Sequence, residues 1–465
     1  MNVQANSQTA FLPVLKNKIY SNQQGFNFPF SERRALLVLI DALLVALSVG
    51  GALLLWQRAA DWPFDIAQIG ARWYWFPIML GGWWTLAWLN DLYDIPSSND
   101  KVGSAVRVVS VGALILIIYL AVFFLAPTLP HLFFIYFLLI ALPTLTLWRW
   151  TYARVSNTPP FRHRVLIIGG EEESGQFIAS ALKQQPTHYQ VLGYADLSYL
   201  LRERRIHEIV VATKHELEND LLQLLIDCQA QGVRVSRMPD LYEKLHRSTP
   251  IQHIDNGWAL DAMQNLPVLS PLQISVKRLL DLVLGLAGLP VSILVLPVVA
   301  LAIRLDSPGP IFYRQARCGR AGKVFSIIKF RTMYSDAEKD GRPRWAMKDD
   351  TRITRVGRFL RKTRLDELPQ VLNVLRGEMS VIGPRPERPE FVEELQQVIP
   401  FYRTRLVAKP GLTGWAQIHY PYGNTVEDAL IKLQYDFYYL RHWSLWLDLY
   451  VVFRTFGVMF KFKGT

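Results

Sequence analysis

The first 150 residues hold four long apolar stretches, more than a water-soluble core of that size can bury. Ala35–Trp56 is apolar apart from Asp41, and Trp73–Leu89, Ala105–Leu125 and Leu132–Trp148 follow behind short loops. At ~1.5 Å per residue, a helix of about twenty residues crosses the ~30 Å hydrocarbon core of a bilayer. The sequence therefore predicts a four-span transmembrane region over 32–155, with Trp73, Trp75, Trp84 and Trp88 suited to belts near the headgroups. Composition agrees: apolar residues make up 51% of the chain and charged residues 19%, against about a quarter in soluble domains. Residues 1–31 are rich in Asn, Gln and Ser, lack a signal-peptide cleavage site, and read as a flexible arm. Lys16, Lys18, Arg33 and Arg34 precede the first span, and Arg149, Arg154, Arg162 and Arg164 follow the fourth, which places both ends in the cytoplasm.

The 51 Lys and Arg exceed the 39 Asp and Glu. That excess suits an anionic membrane surface or phosphorylated substrates, and the apolar content favours these over nucleic acid. Cys228 and Cys318 stand far apart in no CxxC pattern, so neither a disulfide framework nor a cysteine zinc site can be built.

Beyond Arg164 the character changes. Val165–Ile168 enters a Gly-Gly turn and a helical stretch to Lys183. Val191–Tyr194, Ile209–Thr213 and Val233–Ser236 read as further strands, with Leu217–Gln231 as an intervening helix. This alternation predicts a small Rossmann-like parallel α/β domain over 161–270. A dinucleotide site needs G-x-G-x-x-G, but here the run is Gly169-Gly170-Glu171-Glu172-Glu173-Ser174-Gly175. Three adjacent carboxylates would repel a diphosphate, which favours a spacer or regulatory fold.

A third region is expected over 274–465. Its first segment, Leu279–Ile303, is long enough to span but contains Asp281, Pro290 and Pro297 between Lys277–Arg278 and Arg304. A crossing here would export the dense positive set Arg314, Arg317, Arg320, Lys323, Lys329 and Arg331. Proline removes a backbone donor and clashes with the preceding turn. The sequence thus predicts a re-entrant hairpin over 277–304, bent at Pro290, with an ordinary fifth span kinked at proline as the alternative, and Asp281 placed to pair with Lys277 one turn earlier.

Three clusters follow. Ser307-Pro308-Gly309-Pro310 leads to Lys329-Phe330-Arg331-Thr332-Met333; Arg361-Lys362-Thr363-Arg364-Leu365-Asp366-Glu367-Leu368-Pro369 runs on to Gly377; Gly383-Pro384-Arg385-Pro386 precedes Pro410-Gly411-Leu412-Thr413-Gly414-Trp415. Proline belongs in the first turn of a helix, so Asp366 is expected as N-cap, with Glu367 at the first helical position and Gly377 as the stop. Two adjacent acids among cations suit either a carboxylate nucleophile attacking phosphorus or a magnesium ligand set that orients a diphosphate; a solvated helix cap is the commoner meaning of Asp-Glu alone. Arg385, between two prolines, sits on a stiff backbone suited to meeting phosphate in fixed geometry, or else is a solvated turn residue. Gly411 and Gly414 suit close approach to a ligand or a tight turn alone.

In that order, these motifs, with Lys277-Arg278-x-x-Asp281 ahead of them, resemble the bacterial polyprenyl-phosphate sugar-1-phosphate transferases, in their large membrane-anchored form; the likeness is strongest over Lys277–Leu449. The resemblance implies a membrane protein of α plus α/β class, with four N-terminal spans, a Rossmann-like domain and a mainly helical catalytic domain on a re-entrant hairpin. It implies transfer of a hexose-1-phosphate from a UDP-sugar to undecaprenyl phosphate with release of UMP, an initiating step of polysaccharide or glycoconjugate synthesis at the bacterial inner membrane. By that likeness Asp366 is the nucleophile that forms an aspartyl phosphosugar, Glu367 is its dyad partner, and Mg2+ sits beside Asp366. Arg385, Arg361, Lys329 and Arg331 would contact phosphates, Asp436 resembles a polar position of the active region, and homo-oligomers occur by analogy. Where the family often has Ser-Pro at the bend, this chain has Leu289-Pro290. Two other functions fit parts of the pattern: a membrane-anchored nucleotide-sugar dehydratase or epimerase, against which the broken glycine motif argues, and a non-catalytic platform for polysaccharide assembly.

Overall fold

The computed structural model describes residues 30–460 except 60–71, 95–97, 126–130, 157, 159–162, 170–171, 185–188, 195–205, 214, 216, 231, 265, 267–269, 338–344, 346–349 and 421–422. The arm expected over 1–31 lies outside the described residues, apart from Phe30 and Ser31. The chain divides into two compact units, Met1–Met238 and Pro239–Thr465.

The first unit opens with four helices, α1 (Phe30–Ala59), α2 (Trp75–Leu89), α3 (Lys101–Leu125) and α4 (His131–Ser156). Val45 and Val49 of α1, Trp83 of α2, Val111 of α3 and Phe137 of α4 meet in a common apolar core. The outer faces are apolar too, with Leu39, Leu43, Ile117 and Leu139 exposed, an arrangement suited to lipid rather than water. Helices α1, α3 and α4 are long and apolar enough to cross a membrane. The second predicted span is shorter than expected: α2 has 15 residues, or ~22 Å, because Trp73 and Tyr74 form a turn ahead of it. Asp41, the one acid of the first span, is ion-paired with Arg149, whose guanidinium also donates to the Leu92 carbonyl at 2.9 Å. Arg34 donates to the Tyr93 carbonyl at 3.2 Å. The start of α1, the end of α4 and the segment joining α2 to α3 therefore share one end of the bundle, as the distribution of positive charge predicts.

The α/β part comprises β1 (His163–Ile168), α5 (Glu173–Lys183), β2 (Tyr189–Tyr194), β3 (Glu208–Val211), α6 (Asn219–Ala230) and β4 (Arg234–Arg237). Its strands are all parallel in the order β2-β1-β3-β4, so the winding reverses at β1 as in doubly wound sheets. Gly170 and Glu171 of the glycine run lie outside the described residues.

The second unit begins earlier than the sequence suggests. Helix α7 (Met238–His246) leads into it, and α8 (Asn256–Gln264) packs Trp258, Ala259 and Ala262 against Phe391, Leu395 and Phe437. The division by contacts falls at 238, ahead of the boundary expected near 270, because the apolar face of α8 packs within the second unit.

Helix α9 (Pro271–Asp306) starts at a capping box, with Ser270 Oγ accepting from the Gln273 amide at 3.2 Å and Gln273 Oε1 from the Ser270 amide at 2.9 Å. Its backbone stays helical through Pro290 and Pro297, so the break expected at Pro290 is absent. An apolar helix braced along one side tolerates the loss of single backbone bonds. Asp281 also departs from expectation: it accepts from Ser380 Oγ and the Val381 amide, both at 2.8 Å, while Lys277 pairs with Asp448 at 2.7 Å. Satisfying a buried carboxylate takes a hydroxyl and an amide that only tertiary packing supplies.

An antiparallel hairpin follows, β5 (Phe312–Cys318) with β6 (Val324–Phe330), then α10 (Arg355–Thr363) and α11 (Val371–Arg376). Strand β7 (Ser380–Ile382) pairs in parallel with β8 (Gly411–Thr413), on either side of α12 (Pro389–Val398). Helices α13 (Trp415–His419), α14 (Val426–Arg441) and α15 (Leu445–Phe460) complete the unit.

Candidate active site

The Asp366–Glu367 pair sits on a short 3-10 turn, Leu365–Gln370, between α10 and α11. Arg364, with φ of +59°, reverses the chain ahead of it, and Pro369 ends the turn where α11 begins. Asp366 is therefore inside a helical turn rather than the N-cap expected, while Gly377 does end α11 with φ of +81°. Pro369 explains the shift: it forbids an α-helical bond two residues on from Glu367, and a 3-10 turn avoids that need.

Several elements converge on this turn. Lys329, near the end of β6, reaches Glu367 Oε1 at 3.0 Å. Arg385, on the loop after β7, donates to Glu367 Oε1 at 2.5 Å and to Oε2 at 3.4 Å. Arg364 stands 4.0 Å from Oε2. Arg361 of α10 donates to Thr332 Oγ1 at 3.0 Å, and its charge is felt by Asp366. The Asp366 carboxylate has no hydrogen-bond partner among the described residues, and Asp366 is only 7% exposed.

The two acids consequently diverge. Burial alone would raise the Glu367 pKa, but Arg385 and Lys329 overcome it and hold the carboxylate well below its usual range. Burial lifts Asp366 to about 6, helped by the charge of Glu367 and opposed by Lys329, Arg361 and Arg385. Four cations against two carboxylates leave a surplus of positive charge, which a phosphate would neutralise.

The Arg385 loop is held by its backbone. The Gly383 amide donates to the Thr413 carbonyl at 3.0 Å and the Gly411 amide to the Pro384 carbonyl at 2.8 Å. Gly383 and Gly411 come so close that a Cβ on Gly411 would collide with the Gly383 backbone. Gly411–Thr413 thus serves a strand pairing. Arg405, which the sequence did not single out, donates to the Arg385 carbonyl at 3.0 Å and ion-pairs with Asp436 at 2.9 Å. Asp436 is fully buried and reaches the Arg385 loop through Arg405. Arg331 donates to the carbonyls of Ser307, at 2.7 Å, and Pro308, which ties the loop after α9 to the end of β6. Asn373, also not singled out, joins β6 to α11: its Oδ1 accepts from the Ile328 amide at 3.1 Å and its amide donates to the Ser326 carbonyl at 2.8 Å. An asparagine among Val371, Leu372, Val374 and Leu375 was its only sequence signal.

No group of three or more His, Cys, Asp or Glu able to hold a metal occurs among the described residues. With Glu367 occupied by cations, Asp366 is the one dyad carboxylate with oxygens to offer. Mg2+ commonly binds one or two carboxylates together with substrate phosphates, and this donor set fits that pattern.

Residues 272–462 match the family described as bacterial sugar transferase. The chain is 38% identical over 240 residues to an Aeromonas hydrophila protein named UDP-N-acetylgalactosamine-undecaprenyl-phosphate N-acetylgalactosaminephosphotransferase, covering 52% of this chain and 55% of that protein. It is 33% identical over 324 residues to the UDP-glucose:undecaprenyl-phosphate glucose-1-phosphate transferase of Escherichia coli K12, covering 65% of this chain and 68% of that one. A Komagataeibacter xylinus undecaprenyl-phosphate glucose phosphotransferase aligns over 93% of this chain and 86% of its own length at 29% identity. The chain spans little more than half the length of the first relative and about two thirds of the second. With the motifs brought together on one cationic turn, these matches place the chain in the bacterial polyprenyl-phosphate sugar-1-phosphate transferase family.

Proposed function

We propose that this protein transfers a hexose-1-phosphate from a UDP-sugar to undecaprenyl phosphate in two displacements at one phosphorus. The unpartnered Asp366 carboxylate beside a cation-clamped Glu367 carries this reading. An Asp366 oxygen attacks the sugar-bearing phosphorus, the bond to the bridging oxygen breaks, and UMP leaves with that electron pair. The resulting acyl phosphosugar is then attacked by an oxygen of undecaprenyl phosphate, which frees Asp366 and yields the lipid diphosphate sugar. Attack needs an ionised carboxylate, and at a pKa of about 6 most Asp366 is ionised at neutral pH. Arg385 and Lys329, held by Glu367, face the phosphates as fixed cations that lessen repulsion between nucleophile and donor. Arg361 adds to that field. Mg2+, held by Asp366 and the donor's diphosphate, would supply further charge neutralisation.

The helix α9 supports a setting at the bilayer surface, with both soluble parts on the cytoplasmic face. It contacts the catalytic unit along one side through Arg278, Asp281, Gly285, Ser292, Val299 and Ile303. Leu279, Val283, Leu286, Ile293, Leu294, Val298, Leu301 and Leu305 lie exposed on the other side. α9 is itself long and apolar enough to cross a membrane, but its contacts with the polar domain run from Arg278 to Ile303 along one side, which suits lying in one leaflet, since a crossing would drag that domain into hydrocarbon.

The test is UMP release from UDP-glucose and UDP-N-acetylgalactosamine with undecaprenyl phosphate and Mg2+. Asp366→Asn is expected to abolish release and covalent labelling while the protein stays membrane-bound. Full turnover by that variant would refute the nucleophile assignment.

A further inference from the structure

The four-helix unit contains a feature the reaction does not use. Between α3 and α4 lies a groove of about 490 Å³ whose walls include Lys101, Ala105, Leu142, Pro143, Leu147 and Trp150. Its body is apolar, and Leu147 and Trp150 are exposed along it. One end is cationic: Lys101 Nζ lies 5.5 Å from the centre of the Trp150 ring and the Arg154 guanidinium 5.4 Å from it. Neither cation pairs with a carboxylate among the described residues. The neighbouring Asp100 carboxylate accepts from the Val102 amide at 3.2 Å.

The other end is closed where α3 and α4 touch. A Cβ on Gly112 would sit 2.6 Å from Leu142 Cδ2, so the helices leave no space between them there. The lining runs from Trp150 to Leu142 along α4, ~12 Å at the helical rise. That length falls within the ~15 Å that one leaflet contributes to the ~30 Å hydrocarbon core. The groove therefore leads from an indole-backed cationic mouth toward the contact of Leu142 with Gly112.

We propose that this groove binds one anionic diacyl phospholipid of the leaflet at the Lys101 end, its phosphate between Lys101 and Arg154 and one acyl chain along Ala105, Leu142 and Leu147. Three observations select this occupant. Lys101 and Arg154 have no carboxylate partner among the described residues, and basic pockets between membrane helices take anionic headgroups. The indole gives the headgroup level an amphipathic anchor. The ~12 Å length takes the upper part of one acyl chain, whereas a long polyprenyl chain would overrun the closure at Leu142 and Gly112. Ordinary snorkelling of Lys101 and Arg154 to bulk headgroups would give neither a fixed stoichiometry nor dependence on groove shape.

The experiment uses the full chain reconstituted in nanodiscs of equal phosphatidylglycerol and phosphatidylcholine, released into mild detergent, with retained lipid read by native mass spectrometry. The wild type is expected to keep one phosphatidylglycerol with at least ~10-fold preference over phosphatidylcholine. Lys101→Gln with Arg154→Gln should reduce that preference to near unity while UMP release persists, which shows the variant is folded. Lys101→Arg with Arg154→Lys should retain the preference. Ala105→Phe, which fills the groove, should lower retention of both lipids. The proposal fails if the wild type retains both lipids equally, if the double Gln variant keeps its preference, or if one equivalent of undecaprenyl phosphate displaces the phosphatidylglycerol.

Discussion

Replacing Glu367 with Gln tests the division of labour within the dyad. Glu367 raises the Asp366 pKa through its negative charge, second only to burial, while Lys329, Arg361 and Arg385 pull the other way. Gln removes the negative term and leaves the cations, so both changes act in one direction and the Asp366 pKa must fall. Two like charges about 4 Å apart at an effective dielectric of ~20 repel by about 4 kcal/mol, and adjacent carboxylates that point apart by about half of that. That is worth between one and two pH units. The acid limb of kcat/KM for UMP release, which reports the free enzyme, should lie near pH 6 in the wild type and at least about one unit lower in Glu367→Gln. The plateau should also drop, because Arg385 and Lys329 lose the charge that holds them at 2.5 and 3.0 Å. The assay is initial-rate UMP release from pH 4.5 to 8.5 at constant ionic strength. An acid limb that stays in place, or moves upward, would refute the argument that Asp366 titrates under the influence of Glu367.

The same electrostatics predict two further outcomes. Burial outweighs the attraction of Arg405 and pushes Asp436 up to about 6, above its unfolded value near 3.9. Through this group the folded state then binds more protons between pH ~4 and ~6, so the contribution of Asp436 to stability falls by up to ~3 kcal/mol as pH rises through that window and is flat above it. Asp436→Asn should lose this slope in thermal unfolding at pH 4.5 and 6.5, and equal slopes in both proteins would contradict the assignment. Asp281→Ala removes the acceptor of two 2.8 Å bonds from β7 and should cost about 2–4 kcal/mol. A lowered denaturation midpoint of purified protein checks this, and no change would mean that α9 is not held there.

Legibility in the sequence followed the range of the interactions. The membrane helices α1, α3 and α4 and the strands β1 to β4 were readable because apolar run length and period are local properties. Asp366, Glu367, Lys329 and Arg385 were readable as a group because each stands in a dense run of charge or proline. Their partition was not readable: which acid takes Lys329 and Arg385 depends on contacts 38 and 18 residues apart. Arg405 and Asn373 were missed for the same reason, since one acts through the Arg385 carbonyl and the other through the edge of β6. Pro290 misled in the opposite direction. A local rule gave a helix break, but contacts on both sides of that proline hold α9 in one register.

That register bears on how a soluble donor and a lipid acceptor can meet at Asp366. From Arg278 to Ile303 the residues facing the catalytic unit recur every three or four positions, without a phase change at Pro290, so one face of α9 belongs to protein throughout. Ser292 Oγ donates to the Leu368 carbonyl at 3.3 Å, which puts the middle of that face against the turn carrying the dyad. An α-helix with its side chains is about 10–12 Å across, so the apolar face that includes Leu286, Ile293 and Leu294 lies one helix diameter from this turn. If that face sits in hydrocarbon, Asp366 lies at headgroup depth, where a lipid phosphate already resides. In the proposed reaction the acceptor would then need no lifting from the membrane, and the cations around Glu367 would confront both phosphates from the aqueous side.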